Sequence, residues 1–206
     1  VELKAFLGRV PHNDQGPQYV SGNLKSTMRE YVPSGNVIPA SVDWRNKGVL
    51  TAVKDQGQCG SCWAHASAEA IESQMALKTG QLYVLSQQQV NSCVPNPNQC
   101  GGTGGCGGGA EELAFDYIAK VGGITEEWMY PYTSYFGDVA ACITNTTIVK
   151  PFVKINGYTL TKRNDATALM DASRMPDSMS GWIACGIHCL KLGATSGIMP
   201  KPMDTA

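Results

Sequence analysis

No stretch of this chain is apolar for anything near the length needed to cross a bilayer, so no membrane partner is expected. Charge of one sign is missing too. Sixteen Lys and Arg stand against seventeen Asp and Glu, a formal net charge of −1, which gives no reason to expect nucleic acid or an anionic surface as partner. Histidine is scarce, with three residues at positions 12, 65 and 188, so any chemistry that needs an imidazole has few sources. The glycine-rich run at 101–109 lacks the Lys-Ser/Thr ending of a phosphate loop and follows no clear strand, so no nucleotide site is read there. Neither an initiating methionine nor a signal-peptide pattern is present, and the chain opens at Val1 in mid-pattern; a product longer at this end is expected.

What the chain has is cysteine, eight in 206 residues, with 43% apolar and 16% charged residues. The balance fits a globular protein of one or two domains with a core. That many cysteines imply an oxidising compartment, although spacing alone cannot give their pairing. Asn145-Thr146-Thr147 is a glycosylation sequon and agrees with a secretory route.

The most informative stretch is Gln56-Gly57-Gln58-Cys59-Gly60-Ser61-Cys62-Trp63-Ala64. Residues 62–78 read as a helix, with Ser61 as N-cap and Gly80 as stop. Ala64, Ala68, Ile71 and Met75 fall on one face at helical spacing, and His65, Glu69 and Glu72 on another. Cys62 therefore stands where a helix begins. Unpaired N–H groups and the helix dipole there favour the thiolate, which is the nucleophilic form of cysteine. Gln56, six residues upstream, carries a side-chain amide able to donate to the charge such an attack creates.

Further helices follow. Ser86-x-x-Gln89 reads as a capping box opening a helix that ends near Cys93. Ala110, Leu113, Ala114, Tyr117, Ile118 and Val121 form a stripe closed by Gly122 and Gly123. Residues 148–160, rich in β-branched and aromatic side chains, read as a strand, and Asn164 as the cap of a short helix through about Asp171. Residues 1–37 are polar, with scattered Gly and Pro, and on composition alone fit a flexible leader as well as anything else.

These blocks, with Pro39-Ala-Ser-Val-Asp-Trp-Arg-Asn-Lys-Gly48, Val53-Lys54-Asp55, Gly105-Cys106-Gly107-Gly108-Gly109 and Tyr130-Pro131-Tyr132, resemble the papain-like cysteine proteases of the cathepsin L type. The likeness fades after about Ala172. It implies an α+β papain-like fold, with residues 38–147 as the helical left domain and 148–172 as the start of the β-rich right domain. Residues 1–37 would be the end of an inhibitory propeptide, and 173–206 a tail without family match. It implies Cys62 as the catalytic nucleophile and Gln56 as an oxyanion donor beside the Cys62 backbone N–H. Gly108 and Gly109 would hydrogen-bond a substrate main chain, where glycine permits close approach. Cys59–Cys106 and Cys93–Cys142 are the implied disulfides, leaving Cys100, Cys185 and Cys189 without a family partner. The implied protein is a monomer acting on polypeptides, without metal or cofactor, in a lysosome, in a vacuole or outside the cell.

The imidazole half of that chemistry does not carry over. His12 lies in the leader, and His65 is read as packed or paired with Glu69. His188 stands in the right part of the chain, but Cys189-Leu190-Lys191 follows where the family has His-Ala and a strand, and the family's Asn-Ser-Trp-Gly block is absent. A frame change or altered splice downstream of Ala172 would explain this; sequencing independent transcripts tests it. Negligible peptidase activity is expected of the chain as it stands, and activity of a full-length product. Three rival readings remain. Cys59-x-x-Cys62 has redox-motif spacing but lacks the βαβ context. A zinc site from Cys59, Cys62, Cys100 and Cys106 lacks a regular ligand spacing. A third, a non-catalytic binding role, shares every motif.

Overall fold

The computed structural model describes residues 28–162, 165–174 and 198–202. His12, Asn164, Trp182, Cys185, His188 and Cys189 lie outside the described residues. In chain order the elements are β1 (Met28–Glu30), a 3₁₀ turn at Trp44–Lys47, α1 (Cys62–Thr79), α2 (Gln87–Cys93), a 3₁₀ turn at Gly105–Gly107, α3 (Glu111–Val121), β2 (Ile155–Leu160), α4 (Ala166–Arg174) and β3 (Ile198–Pro202).

α1 is the axis of the core. Trp63, Ala64, Ala68 and Ile71 pack with Val90 of α2, with Ala114, Phe115 and Ile118 of α3, and with Ile155 and Tyr158 of β2. The helix starts at Cys62 and stops at Gly80, whose positive φ of 72° suits glycine, as the sequence pattern indicates. Its second face is buried too: His65, read as packed, and Glu72 are both enclosed, so α1 is covered nearly all round. Polar residues can be enclosed there because each finds a partner. Ser86 caps α2 as expected, its hydroxyl accepting from the Gln89 N–H at 2.9 Å. The reciprocal half of the capping box is not formed. The Gln89 amide turns instead to the Thr125 N–H and the Gly123 carbonyl, tying α2 to the segment after α3. The α3 stripe is wider than read: Phe115 is fully buried, whereas Val121 is largely exposed.

The strand read at 148–160 is shorter than expected. Asn145 closes a turn by accepting from the Ile148 and Val149 N–H groups, Pro151 has no N–H to donate, and regular pairing begins only at Ile155. α4 begins at Ala166 and runs to Arg174. Asp165 caps it, its carboxylate accepting from the Ala168 N–H at 2.9 Å; Asn164, read as the cap, lies outside the described residues.

The sheet has the order β1-β2-β3. β1 pairs parallel to β2 with Met28 opposite Tyr158, and β3 antiparallel with Leu160 opposite Ile198. Pro200 and Pro202 sit on β3 at the sheet's edge, where a missing N–H does least harm. This sheet takes in two segments for which no strand was read. The tail contains a strand of this sheet. And residues 28–34 are not a loose leader: the Tyr31 N–H donates to the Leu160 carbonyl, and the Asp171 carboxylate accepts from the Tyr31 hydroxyl and from the Ser34 N–H and hydroxyl.

Candidate active site

The loop that delivers Cys62 is fixed on several sides. The Gly60 N–H donates to the Cys106 carbonyl at 3.0 Å, and Cys59 is bonded to Cys106. The Gln58 N–H donates to the Tyr135 carbonyl at 2.8 Å. Gly57 has a φ of +63°, and a Cβ on it would lie 2.1 Å from that same carbonyl oxygen, so only glycine lets the two strands of loop meet. The second disulfide joins Cys93 to Cys142. Cys62 and Cys100 belong to neither. Cys62 is the first residue of α1 and is 4% exposed, so its sulfur stands at the positive end of an 18-residue helix. Burial pushes the Cys100 thiol up.

Ser61 occupies the N-cap position but makes no side-chain cap, contrary to expectation. Its carbonyl accepts from the Ala64 and His65 N–H groups, and its hydroxyl is taken up elsewhere, 2.7 Å from the Tyr132 hydroxyl. The Tyr132 hydroxyl also lies 2.9 Å from the Gln56 carbonyl. A carbonyl can only accept, so Tyr132 donates its single proton to Gln56 and Ser61 must donate to Tyr132. The same logic fixes His65. Its Nδ1 lies 3.0 Å from the Ser61 carbonyl and must carry the proton there. The His65 ring, 7% exposed, meets Tyr132 edge-on with centroids 4.8 Å apart, and burial pulls its pKa below the ordinary imidazole value. His65 is therefore a packed histidine whose partner is Ser61. Glu69, the other partner considered for it, binds Lys54 at 3.3 Å.

Gln56 is thereby held at both ends. Tyr132 grips its carbonyl, and its side-chain Nε2 donates to the Cys59 carbonyl at 2.7 Å, which aims the amide along the loop leading to Cys62. Tyr132 is the site residue that sequence reasoning passed over. It lay inside the quoted Tyr130-Pro131-Tyr132 block, but nothing in local spacing links it to positions 56 and 61.

The two glycines expected at the substrate have structural causes of their own. Gly108 has a φ of +92°, and its N–H donates to Gly105 while its carbonyl accepts from Gly104. Gly109 has no such φ, but a Cβ there would lie 2.7 Å from the Trp63 ring. The Trp63 indole N–H in turn donates to the Gly105 carbonyl at 3.1 Å, so the glycine loop is seated on the residue that follows Cys62. Among the described residues no group of three or more metal-ligating side chains occurs, and no helix is long and apolar enough to cross a membrane. The chain matches the family model "Papain family cysteine protease" over residues 38–188, past Ala172, where the likeness read from sequence fades.

It belongs to the papain family. Vignain of Ricinus communis is 44% identical over 137 residues, covering 66% of this chain and 36% of that protein. The KDEL-tailed cysteine endopeptidase CEP2 of Arabidopsis thaliana is 42% identical over 135 residues, covering 66% and 35%. The structure of a digestive procathepsin L2 from Tenebrio molitor larval midgut matches with a TM-score of 0.66 at 32% identity, covering 84% of this chain and 52% of that one. The papain-like α+β fold is thus shared, with the helical part present. The chain spans little more than a third of the length of these two curated relatives.

Proposed function

We propose that this chain carries the nucleophilic half of a cysteine peptidase that acts on polypeptides. The carrying observation is Cys62: a thiol outside both disulfides, at the N-terminus of a buried helix, behind a loop that Tyr132 and Cys106 hold in place. In the proposed reaction the Cys62 thiolate attacks a peptide carbonyl carbon and forms an S–C bond. The displaced electron pair rests on the carbonyl oxygen, which the Gln56 amide and the Cys62 backbone N–H stabilise; losing one such donor costs about 2.7–4 kcal/mol of transition-state stabilisation. Collapse expels the amine, which takes up a proton, and water later cleaves the thioester. Gly109 is the better placed of the glycine pair to meet a substrate main chain, because the N–H and carbonyl of Gly108 both serve its own loop. The same reading makes Gly108 a shaping residue beside it.

No residue in the chain matches the family's catalytic imidazole in its proper surroundings or the Asn-Ser-Trp-Gly block that orients it. We therefore expect acylation of Cys62 by reactive electrophiles but no turnover of peptides by these 206 residues. The protein acts as a monomer without cofactor, in a lysosome, in a vacuole or outside the cell; the two disulfides support such an oxidising route. Residues 1–37 are assigned to the end of a propeptide, 38–147 to the left domain, 148–172 to the start of the right domain and 173–206 to a tail. A peptide-amide reporter tests the reading. Release no faster than with Cys62→Ala is expected; release abolished by Cys62→Ala would show a complete catalytic site and overturn the inactive half of the proposal.

A further inference from the structure

Asn145-Thr146-Thr147 is the one Asn-x-Ser/Thr triplet in the chain, and the fold presents it as an attachment site. Every residue from 143 to 148 is exposed. The segment is nevertheless firmly held at both ends. On one side Cys142 is bonded to Cys93, and the Tyr130 hydroxyl donates to the Ala141 carbonyl at 3.1 Å while accepting from the Ile143 N–H at 3.2 Å. On the other side Val149 is buried. Between these anchors the Asn145 carbonyl closes the turn by accepting from Ile148 at 3.0 Å and Val149 at 2.9 Å.

The side chains within the triplet are ordered as well. Asn145 Oδ1 accepts from the Thr147 N–H at 2.9 Å and from the Thr147 hydroxyl at 2.6 Å. Both bonds fall on the amide oxygen. The amide nitrogen Nδ2 makes no hydrogen bond among the described residues, and it is the atom a sugar would be joined to. Two donors on the oxygen draw the amide into a single orientation and hold the Thr147 hydroxyl, the third element of the motif, against it. Thr146 and Ile148 flank these residues without proline, so nothing prevents the triplet from being read as an extended peptide during synthesis.

We infer that Asn145 is an N-glycosylation site, taking an oligosaccharide from a polyprenyl-pyrophosphate donor in the secretory pathway. In that step a bond forms between Nδ2 and the anomeric carbon. The bond from that carbon to the pyrophosphate oxygen breaks, the pyrophosphate leaves with the electron pair, and one amide proton is lost to base. The folded chain accommodates the product without opening any buried surface, since the whole ledge faces solvent. The first sugars cover Ile143 and Ile148, which are 40% and 55% exposed. This inference rests on the sequon, the disulfide next to it and the turn geometry, and is independent of the peptidase reading.

The test is translation of the full chain behind a heterologous signal sequence in the presence of microsomes, with protease-protected chains resolved by mass before and after treatment with an N-glycan-releasing amidase. One glycan per protected chain, removed by the amidase, is expected. Asn145→Gln and Thr147→Ala should each abolish it, and Thr147→Ser should retain it. Protected wild-type chains that all have the bare mass overturn the inference, and so does a glycan that persists in Asn145→Gln.

Discussion

Tyr132 connects three residues that flank the reactive sulfur, and its hydroxyl is the test of that connection. In Tyr132→Phe the Gln56 carbonyl and the Ser61 hydroxyl both lose the bond to this hydroxyl. Leaving a partly buried polar group unpaired costs about 1–3 kcal/mol, so the urea midpoint should fall accordingly. A purely structural tyrosine would change stability alone. A positioning role adds a second effect: alkylation of Cys62 slows, measured at a urea-free pH where both variants are folded. Gly109→Ala probes a different contact. The added methyl meets the Trp63 ring at 2.7 Å, and overpacking of this kind costs about 1–3 kcal/mol, read as a lower melting temperature. His65 sets a pH dependence. Burial holds its folded pKa below the ordinary imidazole value of about 6.5, so below that pH the unfolded chain binds the extra proton more readily. The contribution is complete above about pH 6.5 and is lost as pH falls toward the lower folded value. His65→Phe should therefore lose less stability than wild type between neutral and mildly acidic pH, as followed by thermal melts. None of these contacts is visible in local sequence. Cys62 and Gln56 stand out because they lie within one short stretch, whereas Tyr132 acts across 76 residues of separation.

At the scale of elements, α1 depends on a buried ion network that binds it to the strap before Cys62. Glu72 is fully buried; one carboxylate oxygen accepts from the Leu85 N–H at 2.8 Å, and the other from Lys54 at 2.9 Å and from Thr51 at 2.5 Å. Lys54 also reaches Glu69 at 3.3 Å. Removing one side of such a pair strands the other charge, which costs about 3–5 kcal/mol. Glu72→Ala should destabilise by that order in chemical denaturation, and Lys54→Met combined with Glu72→Leu by much less than the sum of the single changes. The strap would then leave α1, carrying Gln56 with it. The sequence shows why this element was only half legible. Helical spacing separates an apolar stripe from one carrying His65, Glu69 and Glu72, but it does not say what the second stripe meets. Here the polar stripe is buried because charge meets charge, and periodicity has no term for a partner eighteen residues upstream. α2 and its Ser86 cap, by contrast, are decided by neighbours three residues apart, and there the Ser86 half of the read box forms as expected.

Across the whole molecule, the helical part was legible because its signals are local: caps, glycine stops and paired cysteines placed by family likeness. The sheet was not. β1 pairs with a strand about 130 residues away in sequence, through three short residues of no distinctive pattern. Its hold is instead centred on Asp171, which accepts three hydrogen bonds from Tyr31 and Ser34. Asp171→Ala should release residues 28–34 from α4. Limited proteolysis reads this directly: cleavage within the exposed 32–42 run speeds up, while fragments containing α1 to α3 survive at the wild-type rate.

The central claim is that the Cys62 sulfur is a thiolate-forming nucleophile at the head of α1. Its most direct measurement is peptide mapping after brief exposure of the folded chain to a peptidyl epoxide near neutral pH. The account predicts that Cys62 is modified first, ahead of Cys100, with both disulfides intact. Recovery of Cys62 unmodified while other thiols react, or bridged to another cysteine, would contradict it.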